Sequence, residues 1–314
     1  MNISVVIPVY GCRSALPELH RRLTGVLRGL VETYEIILVD DCCPQGSWEE
    51  IKRISSYDGC VKGIKLSKNF GQPCAIMAGV ERSKGDWVVV MDCDLQDKPE
   101  AIVDLYKKAE EGYDVVFARR IDRKDSLIVK QLSKWYHSVL DFFTGTKTDN
   151  TIGNFSISKR IVIDNFLRLN EKGRAYQLFI EWVGFNQTYI DVEGDVRFEG
   201  KSSYNFRRKL KFALSTITSH SNRPLYVSIG VGALFVLASL IAIICLVVRR
   251  LLDSTTQLGW TSIMASIYLV GGLLMLSIGL IGIYIGNIFT EVKNRPIFIV
   301  AETTNLDDEV KGTK

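Results

Sequence analysis

The chain has 314 residues, of which 47% are apolar, and carries a formal net charge of +4 at neutral pH. This length allows one or two domains, and the apolar fraction is ordinary for a globular protein. The excess positive charge is concentrated beside two uncharged stretches near the carboxyl end. It therefore indicates a membrane-facing segment and gives no support to nucleic-acid binding.

The first 120 residues alternate short apolar runs with segments of helical periodicity. This alternation predicts an α/β fold with a mostly parallel sheet, right-handed crossovers and helices on both faces. The predicted strands are Ile3–Val9, Glu35–Val39, Val61–Leu66, Trp87–Met91 and Asp114–Ala118. The predicted helices are Leu16–Leu30, Trp48–Tyr57, Gln72–Arg82 and Pro99–Glu111.

Polar side chains follow each of these five strands at its carboxyl end. Ligands of parallel sheets bind beyond those ends, so the side chains are predicted to line one cleft. No GxGxxG motif follows the first strand, which disfavours a dinucleotide-binding version of the fold. In strand order the side chains are Tyr10, Asp40 with Asp41, Lys68 with Asn69, Asp92 with Asp94, and Arg119 with Arg120.

The fourth strand leads directly into Asp92, Asp94 and Gln96. Carboxylate and amide oxygens are ligands of hard divalent cations, and a cation beside a strand end commonly holds a phosphate. A solvated acidic turn after a core strand is the alternative interpretation. The polar residues at the other strand ends favour a nucleotide diphosphate held through a metal ion.

After Arg120 the pattern changes, and this part is predicted to form the acceptor side of the cleft. It contains a helix at Leu127–Phe143, a strand at Asn154–Ile157, a helix at Ile161–Leu169 and a mixed segment from Tyr176 to Val192. Residues 201–224 then combine basic and aromatic side chains, which is typical of an amphipathic helix at a membrane surface.

Two stretches without charge, Pro224–Val248 and Ser254–Thr290, are long enough to cross a bilayer. They predict transmembrane helices at about 226–248 and 263–289 within a membrane region of residues 225–290. Basic residues precede the first stretch and follow the second, and no signal peptide precedes them. We therefore expect the domain of residues 1–200, the tail of residues 291–314 and both termini to be cytosolic.

Cysteines occur at positions 12, 42, 43, 60, 74, 93 and 245 and form no CxxC pair. Their number is odd and the expected compartment is reducing. Reduced thiols are therefore expected.

Motifs along nearly the whole chain resemble those of the polyisoprenyl-phosphate glycosyltransferases of glycosyltransferase family 2. They are Ile7-Pro8-Val9-Tyr10, Val39-Asp40-Asp41, Asn69-Phe70-Gly71-Gln72, Asp92-Cys93-Asp94-Leu95-Gln96-Asp97-Lys98-Pro99-Glu100, Trp182-Val183-Gly184-Phe185, Arg197 with Gly200-Lys201-Ser202-Ser203-Tyr204, Arg223-Pro224-Leu225, and Tyr284-Ile285-Gly286 with Arg295-Pro296. The resemblance implies a GT-A fold, two carboxyl-terminal membrane helices and inverting transfer of a sugar from a nucleotide diphosphate to a lipid phosphate.

The resemblance also implies roles for individual residues. Mg²⁺ or Mn²⁺ would bind to Asp92, Asp94 and Gln96, and catalytic roles fall to Asp94, Asn154 and Arg197. The donor would contact Pro8, Tyr10, Asp40, Asn69, Asp92 and Arg119. The acceptor phosphate would contact Arg197, Ser202 and Tyr204.

Two departures from the family pattern bear on mechanism. Gly11-Cys12-Arg13 stands where many relatives have acidic residues, and Asn154 stands where many have an aspartate that is the usual candidate for the base. An amide cannot accept a proton at neutral pH. A lipid phosphate is mostly dianionic at pH 7, because its second pKa is about 6, so we expect Asn154 to position a substrate by hydrogen bonding.

The resemblance implies as partners a nucleotide sugar, a polyprenyl phosphate such as undecaprenyl phosphate, and the lipid bilayer of the inner (cytoplasmic) membrane, with a role in cell-envelope glycan modification. A UDP-linked hexose, glucose by analogy, is the expected donor. The spacing of Gly282 and Gly286 favours a homo-oligomer through close helix contact. A processive polysaccharide synthase is disfavoured because no QxxRW motif is present, and a non-catalytic scaffold is disfavoured by the intact acidic motif.

Overall fold

The computed structural model describes residues 2–120, 152–169, 176–193, 223–252, 259–293 and 295–306. These residues belong to two compact units. One unit comprises Met1–Leu127, Asp149–Ser203 and Arg295–Lys314, and the other Ile128–Thr148 and Tyr204–Asn294. The predicted helix Leu127–Phe143, the basic segment 201–222 and the predicted acceptor residues Arg197, Ser202 and Tyr204 lie outside the described residues.

Each described helix or strand of the first unit that was predicted from the sequence begins and ends within two residues of its predicted bounds. The strands are β1 (Ile3–Val9), β2 (Tyr34–Asp40), β3 (Val61–Leu66), β4 (Trp87–Val90), β5 (Val115–Arg120), β6 (Ile152–Lys159), β7 (Gln187–Val192) and β8 (Val300–Thr304). The helices are α1 (Leu16–Leu30), α2 (Ser47–Tyr57), α3 (Gln72–Arg82), α4 (Ala101–Glu110), α5 (Arg160–Arg168) and α6 (Tyr176–Val183).

The strands form one mixed sheet in the order β7-β5-β6-β4-β1-β2-β3-β8. Strand β1 pairs in parallel with β2 and β4, β2 with β3, and β5 with β7. Strand β6 lies antiparallel between β4 and β5, and β8 is antiparallel to β3 at the edge. The predicted α/β fold with a mostly parallel sheet is confirmed.

Helices cover both faces of the sheet because the central strands are apolar on both sides. All seven residues of β1 are buried, with Ile3, Val5, Ile7 and Val9 in one apolar cluster and Val6 in the other. Helices α1, α2 and α4 pack on one face, and α3, α5 and α6 on the other. A Cβ atom at Gly79 of α3 would overlap the side chain of Val6, so only glycine permits this close packing of α3 on β1.

Strand β8 comes from the segment that the sequence analysis assigned to a tail. It pairs with β3 from Gly63 to Leu66, and Phe298 and Val300 pack against one of the apolar clusters. Beyond it, the side-chain amide of Asn305 donates hydrogen bonds to the carbonyls of Ser55, at 2.7 Å, and Val61, at 2.9 Å. Residues after the two long helices therefore complete the sheet of the first unit.

The second unit contains two long helices, α7 (Arg223–Leu252) and α8 (Trp260–Val292). Within α8, Leu269–Val292 is the single stretch of the described residues that is long and apolar enough to cross a bilayer. In α7 the residues whose side chains are described include a shorter apolar stretch, Arg223–Phe235. The second predicted span thus has a structural counterpart, and the first stays a prediction.

Candidate active site

The carboxyl ends of β1, β2, β3 and β4 lie at the same end of the sheet, and we call this end the rim. Strand β5 runs in the same direction as β4, because both are antiparallel to β6 between them. The amino-terminal end of β6 therefore also lies at the rim. This arrangement brings Asn154 of β6, which is half-buried, to the same end as the residues that follow β4.

Residues 92–97, the acidic loop, are separated from the end of β4 by one residue, and local hydrogen bonds determine their conformation. Gln72, the first residue of α3, donates from Nε2 to Asp92 Oδ1 at 2.7 Å. The backbone N–H of Gln96 donates to Asp94 Oδ1 at 3.1 Å. Leu95 adopts a left-handed φ of 62°, which a leucine rarely does. The loop thus has a specific conformation that exposes parts of Asp92, Asp94 and Gln96.

Arg120 and Asp97 form an ion pair at the base of this loop. Asp97 Oδ1 accepts hydrogen bonds from Arg120 Nε at 3.0 Å and from Nη2 at 2.6 Å. The side chain of Asp97 is 2% exposed and that of Arg120 is 26% exposed. Burial raises the pKa of Asp97, and the charge of Arg120 offsets only part of that rise. Burial lowers the pKa of Arg120, but Asp97, Asp92 and Asp94 reverse this and the net shift is upward.

Arg119, which the sequence analysis assigned to the donor phosphate, contacts a different group. It forms a two-bond ion pair with Asp191 of β7, at 2.5 and 2.9 Å, and stacks on the ring of Tyr189 at 4.0 Å. Hydrogen bonding to Asp191 raises the pKa of Arg119. A phosphate contact would compete with this pair, and donor binding by Arg119 stays a prediction.

The two aspartates that follow β2 shape neighbouring loops. Asp40 accepts a hydrogen bond from the backbone N–H of Cys43 at 3.1 Å, and Asp41 accepts from those of Phe70 and Gly71 at 2.7 and 2.8 Å. Burial raises the pKa of both carboxyls. Asp41 thereby ties the end of β2 to the segment that carries Asn69 and enters α3.

The remaining predicted donor residues also lie at the rim. Tyr10, directly after β1, is 53% exposed, and Asn69 is exposed after β3. Pro8 is buried within β1 and is paired in register with Val39 of β2. The described candidates therefore share one end of the sheet, with Tyr10 and Asn69 accessible for contact with a ligand.

A disulfide joins Cys12, in the loop after β1, to Cys93, between the two aspartates of the acidic loop. The Cα atoms are 6.3 Å apart, and the two residues are 4% and 7% exposed. The expectation of reduced thiols is wrong for this pair, because the rim brings together two cysteines that are 81 residues apart in sequence. The other five cysteines form no disulfide.

The oxygen atoms of the acidic loop fit a hard cation, which prefers carboxylate and amide ligands. Among the described residues, no three His, Cys, Asp or Glu side chains converge on one point. The acidic loop offers two carboxylates and one amide as partly exposed ligands, with the remaining ligands left to phosphate or water. That is the usual situation for Mg²⁺ held together with a substrate phosphate.

Comparison with known proteins identifies the family. The model of glycosyl transferase family 2 matches residues 4–167. The chain belongs to glycosyltransferase family 2. An uncharacterized glycosyltransferase of Bacillus subtilis (strain 168) is 34% identical over 310 residues, which cover 98% of this chain and 96% of that protein.

Two relatives with more specific names confirm the resemblance to polyprenyl-phosphate transferases of family 2. The undecaprenyl-phosphate 4-deoxy-4-formamido-L-arabinose transferase of Serratia proteamaculans is 33% identical, with 95% of this chain and 93% of that protein covered. The prophage-derived bactoprenol glucosyl transferase of Shigella flexneri is 29% identical, with coverage of 96% and 98%.

The fold of this family 2 transferase is similar to that of glucosyl-3-phosphoglycerate synthase from Mycobacterium tuberculosis, solved with Mn²⁺, UDP and phosphoglyceric acid. The TM-score is 0.50 at 14% identity, with 69% of this chain and 76% of that chain covered. At this identity the likeness concerns the fold alone. The expected GT-A type of α/β fold is confirmed.

Two features of the transferase site were missed in the sequence. Asp97 was quoted within the acidic motif but received no role, and Arg120 was noted at its strand end but was not selected. The alternation of side chains along β5 was the available signal, because consecutive strand residues point to opposite faces and only one of two arginines can reach the acidic loop.

Proposed function

We propose that this protein transfers a hexose, with inversion at the anomeric carbon, from a UDP-sugar to a polyprenyl phosphate such as undecaprenyl phosphate. The observation that carries this proposal is the acidic loop at the rim, in a chain whose family 2 relatives match it along nearly their whole length. Two of those relatives are named as transferases acting on undecaprenyl phosphate or bactoprenol. Glucose is proposed as the sugar because one of them is named a glucosyl transferase.

Asp92, Asp94 and Gln96 are proposed to hold Mg²⁺ or Mn²⁺ against the donor diphosphate. When bound, such an ion supplies neutralisation of the negative charge that develops on the leaving diphosphate. The Gln72 hydrogen bond orients the Asp92 carboxylate, and the Asp94 carboxylate is oriented by the turn of its own loop. Tyr10 and Asn69 are proposed to contact the nucleoside end of the donor.

The attacking group in this proposal is an oxygen of the lipid phosphate. It forms a bond to the anomeric carbon while the bond from that carbon to the diphosphate breaks, and the nucleoside diphosphate leaves. No base is required, because a phosphate monoester with a second pKa of about 6 is already ionised at pH 7. Asn154 at the rim can donate a hydrogen bond that aligns the sugar or the attacking oxygen.

Arg120 is proposed to stabilise charge on the donor diphosphate. Its guanidinium is paired with Asp97 at the end of the acidic loop, and its charge interacts with those of Asp92 and Asp94. A fixed cation that faces developing negative charge lowers the barrier without reorganisation during the reaction.

The transferase is proposed to span the membrane twice, with its α/β unit in the cytosol. Strands β7 and β8 belong to one sheet, and α7 and α8 lie between them in the chain. Both ends of the helical segment are thus attached to the same folded unit, so it must cross the bilayer an even number of times. With α8 as one span, α7 is the natural second. Close contact between copies through Gly282 and Gly286 stays a prediction.

The test is a transfer assay with the full-length protein in detergent, undecaprenyl phosphate, Mn²⁺ and a panel of radiolabelled nucleotide sugars. We expect label from one UDP-hexose to enter the lipid-extractable fraction, and chelation by EDTA or the Asp94→Ala variant to abolish it. The Asp104→Ala variant is a matched control, because Asp104 lies in the first turn of α4 and outside the acidic loop.

Two outcomes would contradict the proposal, and a third would contradict only the role of Asn154. Water-soluble polymer would indicate a processive synthase, and no transfer from any donor would indicate a non-catalytic scaffold. Full turnover by Asn154→Ala with unchanged donor affinity would remove the role assigned to Asn154 and leave the rest standing.

A further inference from the structure

Cys12 and Cys93 connect two loops that the proposed reaction uses. Cys12 is two residues after Tyr10, and Cys93 lies between Asp92 and Asp94. Both side chains are buried in the same apolar cluster. In a reducing compartment, where most disulfides are absent, a disulfide is usually transient and serves catalysis or redox sensing.

We propose that Cys12 and Cys93 form a reversible oxidative modification site that switches the transferase off when their disulfide is formed. The inference rests on the proposed function for its effect on turnover, and on the geometry for the site itself. The reduced pair corresponds to the active enzyme, and the cross-linked pair to the inactive enzyme.

The cross-link acts on the acidic loop because it fixes the residue between the two carboxylates. Asp92 and Asp94 each have an oxygen engaged by Gln72 or by the loop's own backbone. Binding of one cation by the remaining oxygens of both carboxylates requires a small movement of the loop that carries them, while these two hydrogen bonds hold. A covalent bond from Cys93 to the loop after β1 opposes that movement, and displacements of about 1 Å change turnover by as much as ~10²-fold.

The burial of both sulfurs indicates a small oxidant. Hydrogen peroxide fits, and the reaction balances as two thiols and one peroxide giving one disulfide and two waters, with the thiol hydrogens transferred to the peroxide oxygens. A dithiol reductant such as dithiothreitol reverses it by thiol–disulfide exchange. Cys43 is the competing partner to consider, because its sulfur accepts a hydrogen bond from the backbone N–H of Gly11 at 3.2 Å.

The experiment compares full-length protein reduced with dithiothreitol, oxidised with hydrogen peroxide, and reduced again. Disulfides are mapped by mass spectrometry of peptides without reduction, the affinity for UDP with Mn²⁺ is measured by calorimetry, and transfer is measured in the same samples. We expect a Cys12–Cys93 peptide, a loss of turnover of at least about tenfold in the oxidised sample, and recovery on reduction. Weaker UDP binding in the presence of Mn²⁺ should accompany the cross-link.

Variants separate this switch from general oxidation. Cys12→Ala should keep the turnover of the reduced enzyme and lose the response to peroxide. Cys60→Ala should lose turnover on peroxide treatment as the natural protein does, because Cys60 precedes the amino-terminal end of β3, opposite the rim. If Cys12→Ala folds poorly, the turnover and UDP affinity of the oxidised and reduced natural protein still test whether the disulfide switches the enzyme off.

A cross-link that leaves both turnover and UDP affinity unchanged, a peptide that joins Cys12 to Cys43, or no cross-link at any peroxide concentration would overturn the proposal. Failure of the proposed function is a separate result. In that case the reduced protein transfers no sugar, and a change in UDP affinity on oxidation still supports the switch, whereas unchanged affinity overturns it.

Discussion

Arg119 and Arg120 are neighbours in β5, yet they lie in opposite surroundings. Arg120 reaches under the acidic loop and pairs with Asp97, whose side chain is 2% exposed. Arg119 lies opposite Asp191 of the edge strand β7 and pairs with it, and the side chain of Asp191 is 44% exposed. Both are ion pairs of an arginine with an aspartate, and the hydrogen-bond lengths are similar.

The difference shows that the burial of an arginine–aspartate pair, and not its chemical type, determines how much the pair contributes to stability and to the site. A buried pair holds its members in place, and removal of one partner leaves an uncompensated charge in a poorly solvated environment. The charges of an exposed pair are screened by water and salt, so the pair contributes little to the free energy of unfolding. We therefore assign a functional role to Arg120 and expect Arg119 to be dispensable.

The largest expected effect is on turnover. Arg120→Ala should lower the kcat of sugar transfer on the order of 10²-fold, because a fixed cation that faces the developing diphosphate charge is lost. Arg119→Ala is the matched control and should stay within about threefold of the natural protein. Measurement of kcat and KM at saturating Mn²⁺ checks both. A larger loss in Arg119→Ala than in Arg120→Ala would reverse the comparison and restore Arg119 as the phosphate ligand.

The next effect is on stability. Asp97→Asn should lower the free energy of unfolding by about 3 kcal/mol, because the guanidinium of Arg120 would stay mostly buried without its hydrogen-bonded counter-charge. Denaturant unfolding followed by tryptophan fluorescence measures this change. The double variant Asp97→Asn with Arg120→Gln should recover part of the loss, since no uncompensated charge remains. Additive losses in the double variant would show that the two residues do not act as a pair.

At the edge strand, Asp191→Asn should change the unfolding temperature little at physiological salt, because the pair with Arg119 is exposed. Differential scanning fluorimetry of Asp191→Asn and Asp97→Asn in the same buffer compares their unfolding temperatures directly. An unfolding temperature that falls as far for Asp191→Asn as for Asp97→Asn would remove the distinction between the pairs.

The smallest expected effect concerns pH. The hydrogen bond from Arg119 lowers the pKa of Asp191 below its ordinary value of 3.8. The contribution of the pair is therefore fully present above pH 3.8 and is lost as the pH falls through the lowered pKa. The small difference between the natural protein and Asp191→Asn should vanish in that acidic window and also at high salt. A difference that persists under both conditions would show that it does not arise from the ion pair.

Most of the sheet could be predicted from the sequence because local signals agree with the fold. Each buried strand of the amino-terminal part is a short apolar run, and α1 has Leu19, Leu23 and Leu27 at helical spacing on its buried face. Strand β8 was missed although Phe298, Ile299 and Val300 form an apolar run, because an edge strand far along the chain finds its partner only in three dimensions.

The candidate site was predictable in its location but not in its contacts. Strand ends identified the rim and the acidic loop, since parallel strands direct their carboxyl ends to the same end of the sheet. The pairs Arg120–Asp97, Gln72–Asp92 and Cys12–Cys93 depend on side-chain direction across different elements. Sequence spacing does not identify the partners in these contacts, and the alternation along β5 indicates only that one of its two arginines can face the acidic loop.

Strand β8 has a consequence for the order in which the protein is made. The ribosome synthesises β8 after both long helices, so the edge of β3 stays without its neighbour until the helical segment has been translated. Only then can Gly63 lie close to Thr304 and Asn305 donate its hydrogen bonds to the carbonyls of Asp58 and Val61. The α/β unit is thus completed last, after the part of the chain proposed to enter the membrane, and a prematurely terminated chain would lack a strand of its sheet.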